Sequence, residues 1–152
     1  MTVTAGEIPV LDLGPWLAGE NGALDRLAAD LRRACIDVGF YFIANHGVDQ
    51  DLVDRTFDQT AALHALPEDV KTAYRINKHN IGFMASKASM QRSSAVHDAT
   101  KPNLVASYFM KRDRAPDDPA VVENLPLRGM NQWPAELPEF RPVMLAYMNA
   151  ME

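Results

Sequence analysis

Arg32–Asp49 reads RRACIDVGFYFIANHGVD, and the order of its parts decides how the chain begins. Upstream of Gly39, the residues Leu24, Leu27, Ala28, Leu31, Ala34, Cys35 and Val38 fall at helical spacing, which predicts an amphipathic helix. Asn21 is placed to cap its start, and Gly39 stands where a left-handed residue ends helices. Arg32 and Arg33 sit in the last turns, which suits the helix dipole. Phe40-Tyr41-Phe42-Ile43-Ala44 then runs without a polar break, the pattern of a strand covered on both faces. The strand closes on Asn45-His46-Gly47, and Asp49 can cap a further helix.

Working outward, Ile8-Pro9-Val10-Leu11-Asp12-Leu13 predicts a short edge strand broken by Gly14-Pro15. Beyond Asp49, the residues Val53, Phe57, Thr60, Ala61 and His64 share one side of the expected helix. Pro67 is suited to the first position of another short helix running to Tyr74, with Glu68 and Asp69 in its first turn. Ile76–Thr100 is polar and aperiodic and reads as loop, whereas Leu104–Met110 alternates like a strand. Seven of the ten prolines lie beyond residue 100, marking Arg114–Pro138 as an irregular connection. A final helix starts near Pro138, with Phe140, Met144, Tyr147, Met148 and Met151 on one face. Its apolar stripe continues to the last residues without a stop signal, so the expectation is a chain cut within a longer helix. A docked terminal helix is the plainer alternative.

Composition narrows the function classes. With 152 residues, 47% hydrophobic and 23% charged, the chain reads as a folded domain rather than a disordered one. A net charge of −5 without long single-sign runs argues against a nucleic-acid or anionic-membrane partner. Lys111-Arg112-Asp113-Arg114 is interrupted by an acid and reads as a solvated face. Cys35 is the sole cysteine; it fits a reducing, cytoplasmic setting and reads as a small hydrophobe packed on its helix. No signal-peptide pattern opens the chain, and no run approaches the ~18 apolar residues of a membrane span.

Five segments in order resemble the N-terminal domain of the isopenicillin-N-synthase-like Fe(II)/2-oxoglutarate-dependent dioxygenases. They are Ile8–Leu13, Leu24–Asp49, Ala62–Arg75 with Leu63-His64-Ala65-Leu66-Pro67 and Lys71, Asn77–Met84, and Trp133-Pro134 followed by Leu137–Arg141. The resemblance implies an α/β (α+β) fold of short strands and amphipathic helices that packs against a C-terminal jelly roll. It divides the chain into an N-terminal module (1–113), a Pro-rich connection (114–137) and the start of a helix leading on (138–152). It also implies a full-length oxidoreductase using Fe(II) and 2-oxoglutarate on a small-molecule substrate, by hydroxylation, desaturation, ring closure or ethylene formation.

The family pattern for iron is His-x-Asp with a distant second His, followed by Arg-x-Ser for 2-oxoglutarate. His46, His64, His79 and His97 have Val48, Leu66, Ile81 and Ala99 two positions on, so none fits. Arg92-Ser93-Ser94 matches Arg-x-Ser only literally, since it precedes the last histidine. The sequence therefore offers no metal site and no catalytic residue, and glycine spacings for a phosphate loop or nucleophile elbow are absent. His46 reads as a turn histidine whose ring bonds backbone, and His64 as a core histidine. Lys78, His79 and Asn80 read as a surface loop or, by the resemblance, as part of a substrate rim. Phe83, Ser107 and Phe109 stand between strand packing and that same rim.

The first expectation is thus a pocket-walling, structural portion that is inactive alone and needs a jelly roll in cis or in trans. The second is a stand-alone, non-catalytic module that binds a protein partner such as a separately encoded jelly-roll chain. A third, an enzyme of unrecognised chemistry around His79 and His97, lacks a rigid frame for its ligands.

Overall fold

The computed structural model describes residues 8–89 and 101–152, leaving His97, Asp98 and Arg92-Ser93-Ser94 outside the described residues. It shows short strands and helices without a closed barrel, in the order β1 (Val10–Asp12), α1 (Gly14–Leu17), α2 (Ala23–Asp37), β2 (Phe42–Ala44), α3 (Gln50–Ala65), α4 (Glu68–Ala73), β3 (Gly82–Met84), β4 (Ser107–Phe109), α5 (Pro119–Val122) and α6 (Phe140–Met151). The α+β expectation holds. Two compact units result, residues 1–53 with 149–152, and residues 54–148.

In the first unit β1 and β2 pair in parallel, Leu11 opposite Ile43 and Asp12 opposite Ala44. A parallel pair needs a crossover, which α1 and α2 supply. The turn after each strand is locked by one carboxylate: Asp12 Oδ1 accepts from the Gly14 amide at 2.9 Å and from Asn45 Nδ2 at 2.8 Å. Asn45 holds φ at +52°, a left-handed state in which Asn is favoured among non-glycine residues. His46 Nδ1 accepts the Val48 amide at 3.2 Å, as expected of a turn histidine. Gly39 (φ +94°) ends α2 by returning its amide to the Ala34 carbonyl at 2.9 Å.

Several expectations need correction here. The start of α2 is capped not by Asn21 but by Gly22, in a left-handed conformation and without a side-chain bond. The sheltered line of that helix is Ala23, Leu27, Asp30, Ala34 and Val38, while Leu24, Leu31 and Cys35 are exposed. Cys35 therefore does not pack as a core residue. Nor is β2 covered on both faces. Phe40, Tyr41, Phe42 and Ile43 are all exposed, because a sheet of two strands with one crossover layer has too little structure to enclose them.

The second unit carries the denser core. Leu63, Phe140 and Met144 form its centre, with Leu66, Tyr108, Met110, Trp133 and Leu137 packed around them. Leu63 selects the buried side of α3, so the partly covered line runs Leu52, Thr56, Gln59, Leu63. Phe57 is 72% exposed and His64 is exposed, so the expected stripe was rotated by about one residue. Asp49 caps α3 as expected, accepting the Asp51 amide at 2.8 Å. Pro67 is the residue before α4 rather than its first. Lys111–Arg114 is not a solvated run: Asp113 pairs with Arg141 at 3.0 Å and Arg114 with Asp118 at 2.7 Å.

The segment read as loop contains β3, paired antiparallel with β4 in the register Gly82–Phe109, Phe83–Tyr108 and Met84–Ser107. β4 is shorter than the expected 104–110 run. Gly82 (φ +118°) is required twice, by its backbone and by its surroundings. A Cβ there would overlap Gln132 Nε2 and the Tyr74 carbonyl oxygen.

Two predictions follow from this packing. Gly82→Ala should destabilise the second unit by roughly 3 kcal/mol, from strain plus overlap, read by urea unfolding of the Trp133 signal. Asp12 has its carboxyl pKa lowered from 3.8, first by the Asn45 bond and then by the Gly14 amide. Its contribution is then present above pH 3.8 and lost as pH falls through the lower folded value. The stability difference between the native chain and Asp12→Asn should therefore shrink to nothing as acid is added below that point. A difference constant with pH would contradict it.

Candidate functional site

The loop between α4 and β3 is the part of the second unit with a defined and unusual geometry. Tyr74, Arg75 and Ile76 run alongside the incoming strand: the Phe83 amide donates to the Tyr74 carbonyl at 2.7 Å and the Ile76 amide to the Phe83 carbonyl at 2.8 Å. Asn77 closes the turn, its Oδ1 accepting the His79 amide at 2.9 Å while its carbonyl accepts the Asn80 amide at 2.9 Å. Asn80 takes φ +58°, again a left-handed Asn. Ile81 and Phe83 are buried, which anchors the turn at its base.

Gln132 clamps this loop from 50 or more positions away. Its Nε2 donates to the Ile81 carbonyl at 2.8 Å and to the Arg75 carbonyl at 3.1 Å. Its own carbonyl accepts the Tyr108 hydroxyl. Burial, and next the nearby Tyr74, raise the Tyr108 pKa well above the ordinary phenol value, so the hydroxyl stays a donor. Asn131 makes a matching pair of bonds with the Lys111 backbone, at 2.8 and 2.9 Å, and reaches Asp113 Oδ1 at 3.2 Å. Tyr74 completes the frame, its hydroxyl bonding Glu136 Oε2 and the Ala135 amide at 2.9 Å each.

The residues singled out from sequence fall into three settings. Lys78 and Asn80 are exposed at the turn. His79 is half-buried beside Gly129, where a Cβ would come within 2.6 Å of its ring, and its Nδ1 is enclosed without a partner. Ser107 and Phe109 are half-buried on β4 and, with Met84, share one face of the pair. Phe83 faces the other way and is 3% exposed, its ring 6.2 Å from that of His64 and 5.4 Å from Lys71 Nζ. Lys71 also bonds the His64 carbonyl and Glu68, both at 3.1 Å, tying α3 to α4. Asn131, Gln132 and Gly129 escaped the sequence reading. Side-chain-to-backbone bonds across such separations leave no period or motif.

The chain is a member of the non-haem dioxygenase N-terminal family, described as "non-haem dioxygenase in morphine synthesis N-terminal", which matches residues 8–136. It is similar to the 2-oxoglutarate-dependent dioxygenase citB of Monascus ruber, with 32% identity over 149 residues, 95% of this chain and 44% of that protein. In fold it resembles a 2OG-Fe(II) oxygenase family protein of Caulobacter crescentus, at TM-score 0.70 and 21% identity over 98% of this chain and 44% of that one. It also resembles a full-length Neurospora crassa protein in complex with alpha-KG and thymine, at TM-score 0.73 and 20% identity over 98% and 46%. The chain thus spans less than half the length of the relatives it matches, and what it matches is their N-terminal part.

The family's iron finds no fit among the described residues. No three His, Cys, Asp or Glu side chains lie together there as a cation would require. The His46 ring is engaged by backbone, and the His79 ring is pressed against Gly129. No helix among the described residues is long and apolar enough to cross a membrane.

Gln132→Ala would remove the side-chain donor from the Arg75 carbonyl and one of the two donors, the other being the Asn77 amide, from the Ile81 carbonyl, at a cost of about 1–3 kcal/mol. Hydrogen exchange at the Ile76, Asn77 and Phe83 amides should accelerate in that variant, while exchange in α2 should not change.

Proposed function

We propose that this chain is the N-terminal, structural portion of an Fe(II)/2-oxoglutarate-dependent oxygenase, walling the substrate pocket and doing no chemistry itself. The observation that carries the reading is the near-complete coverage of this chain by folds of which it forms less than half. A jelly-roll part holds the iron and 2-oxoglutarate, and the whole protein oxidises a small molecule as it decarboxylates that co-substrate. Residues 1–113 form the module, 114–137 the connection and 138–152 the helix that leads on. Lys78, His79 and Asn80, with Ser107 and Phe109 of β4, lie toward the rim. The open apolar strand Phe42–Ala44 is where this part has surface left to cover. The setting is the cytoplasm.

Succinate formation tests the proposal. The 152-residue chain with Fe(II), ascorbate and 2-oxoglutarate should form none above the protein-free level. The native product from its source cell should exceed 16.9 kDa and form succinate. Turnover by the short chain alone would overturn the reading. A native mass of 16.9 kDa would favour the partner-binding module instead.

A further inference from the structure

A cleft of about 290 Å³ opens beside β3 in the second unit, near the lower end of the ~300–1,000 Å³ common for small-molecule sites. Its walls are Ile76, Phe83, Met84, Ala85 and Ala88, all apolar side chains. Two polar residues complete it, Thr72 and Arg75. The Thr72 hydroxyl already donates to the Glu68 carbonyl at 2.7 Å, so it has no proton to offer a ligand. Among the described residues Arg75 is then the single side-chain donor and the single charge lining the cleft, and no carboxylate among them lines it.

The position of Arg75 is fixed independently of its guanidinium. Its amide donates to the Thr72 carbonyl at 3.1 Å, its carbonyl accepts Gln132 Nε2, and the residue bridges to Phe83. Arg26, Arg33, Lys71, Arg114 and Arg141 pair with carboxylates, whereas Arg75, like several other cations among the described residues, forms no such pair. An arginine held by its backbone and lining an apolar cleft, its guanidinium in no ion pair among the described residues, matches one carboxylate.

We propose that this cleft binds small organic monoanions, with an apolar body on the Ile76, Met84, Ala85 and Ala88 surface and one carboxylate on Arg75. A second carboxylate on the ligand would meet apolar wall without a donor and pay for its desolvation, so dicarboxylates are selected against. The cleft's specificity is therefore distinct from that of a 2-oxoglutarate site, and it stands whether or not the proposed activity does.

Titration of the 152-residue chain by amide chemical shifts decides the matter, with phenylacetate, its neutral amide phenylacetamide, and succinate as probes. Phenylacetate should shift Ile76, Met84, Ala85 and Ala88 saturably and bind at least tenfold more tightly than the other two, leaving β1 and β2 unmoved. Arg75→Met should equalise phenylacetate and phenylacetamide, while Arg75→Lys should retain part of the preference. Among the described residues no ion pair of the guanidinium holds the fold, and unchanged shifts at Leu63, Tyr108 and Met144 in the variants verify that the second unit is intact. Equal binding of the acid and amide by the native chain, no saturable shift at the four positions, or a preference that survives Arg75→Met would each overturn the proposal.

Discussion

One side-chain amide, that of Gln132, organises the second unit. It holds two carbonyls of the 75–81 loop at 3.1 and 2.8 Å, while its backbone oxygen takes the Tyr108 hydroxyl from β4. Buried carbonyls need donors, and the few backbone bonds this loop makes with itself and β3 are supplemented by the Gln132 side chain. The amide occupies the space where any residue other than glycine at 82 would put its Cβ. The left-handed turn at Asn80, the burial of Ile81 and Phe83, and the short β3–β4 pair are all compatible with that one contact. Neighbouring Asn131 does for the Lys111 backbone what Gln132 does for the loop, so two consecutive side chains staple an otherwise irregular stretch.

The two units bury their side chains to different degrees. Around Leu63, Phe140 and Met144 the second unit has an aromatic core, with Tyr108 and Phe140 rings edge-on at 5.4 Å. The first unit encloses Leu11, Ala23 and Ala34, two of them alanines. Its turns are held instead by polar contacts at Asp12, Asn45 and His46. Hydrogen bonds of this kind set geometry well but contribute about 1 kcal/mol each, while the apolar side chains of Phe40–Ile43 are exposed.

Family membership and chemistry separate cleanly in this chain. The family is defined by how strands and helices follow one another, and five segments in order were enough to suggest it. Catalysis by the relatives requires a cluster of metal ligands, and none forms among the described residues.

The order of α2, β2 and the Asn-His-Gly turn was legible from local pattern, because helix spacing, apolar runs and glycine stops act over a few residues. The Asp49 cap and the backbone-bonded His46 were legible for the same reason. Which face of α3 is buried was not, since apolar residues occur on more than one side of that helix and the choice fell to Phe140 and Met144, far along the chain. Strand β3 was hidden within a polar stretch because it is three residues long and its partner lies some 25 positions later. The exposure of Cys35 and of β2 likewise depends on how many layers pack against them, which no local pattern records. By itself, then, the sequence determined the family and the order of the longer helices and of the first two strands, which are local properties. Only the tertiary structure decided the buried faces, the Gln132 clamp and the lone arginine of the cleft, because each arises from residues that meet across long stretches of chain.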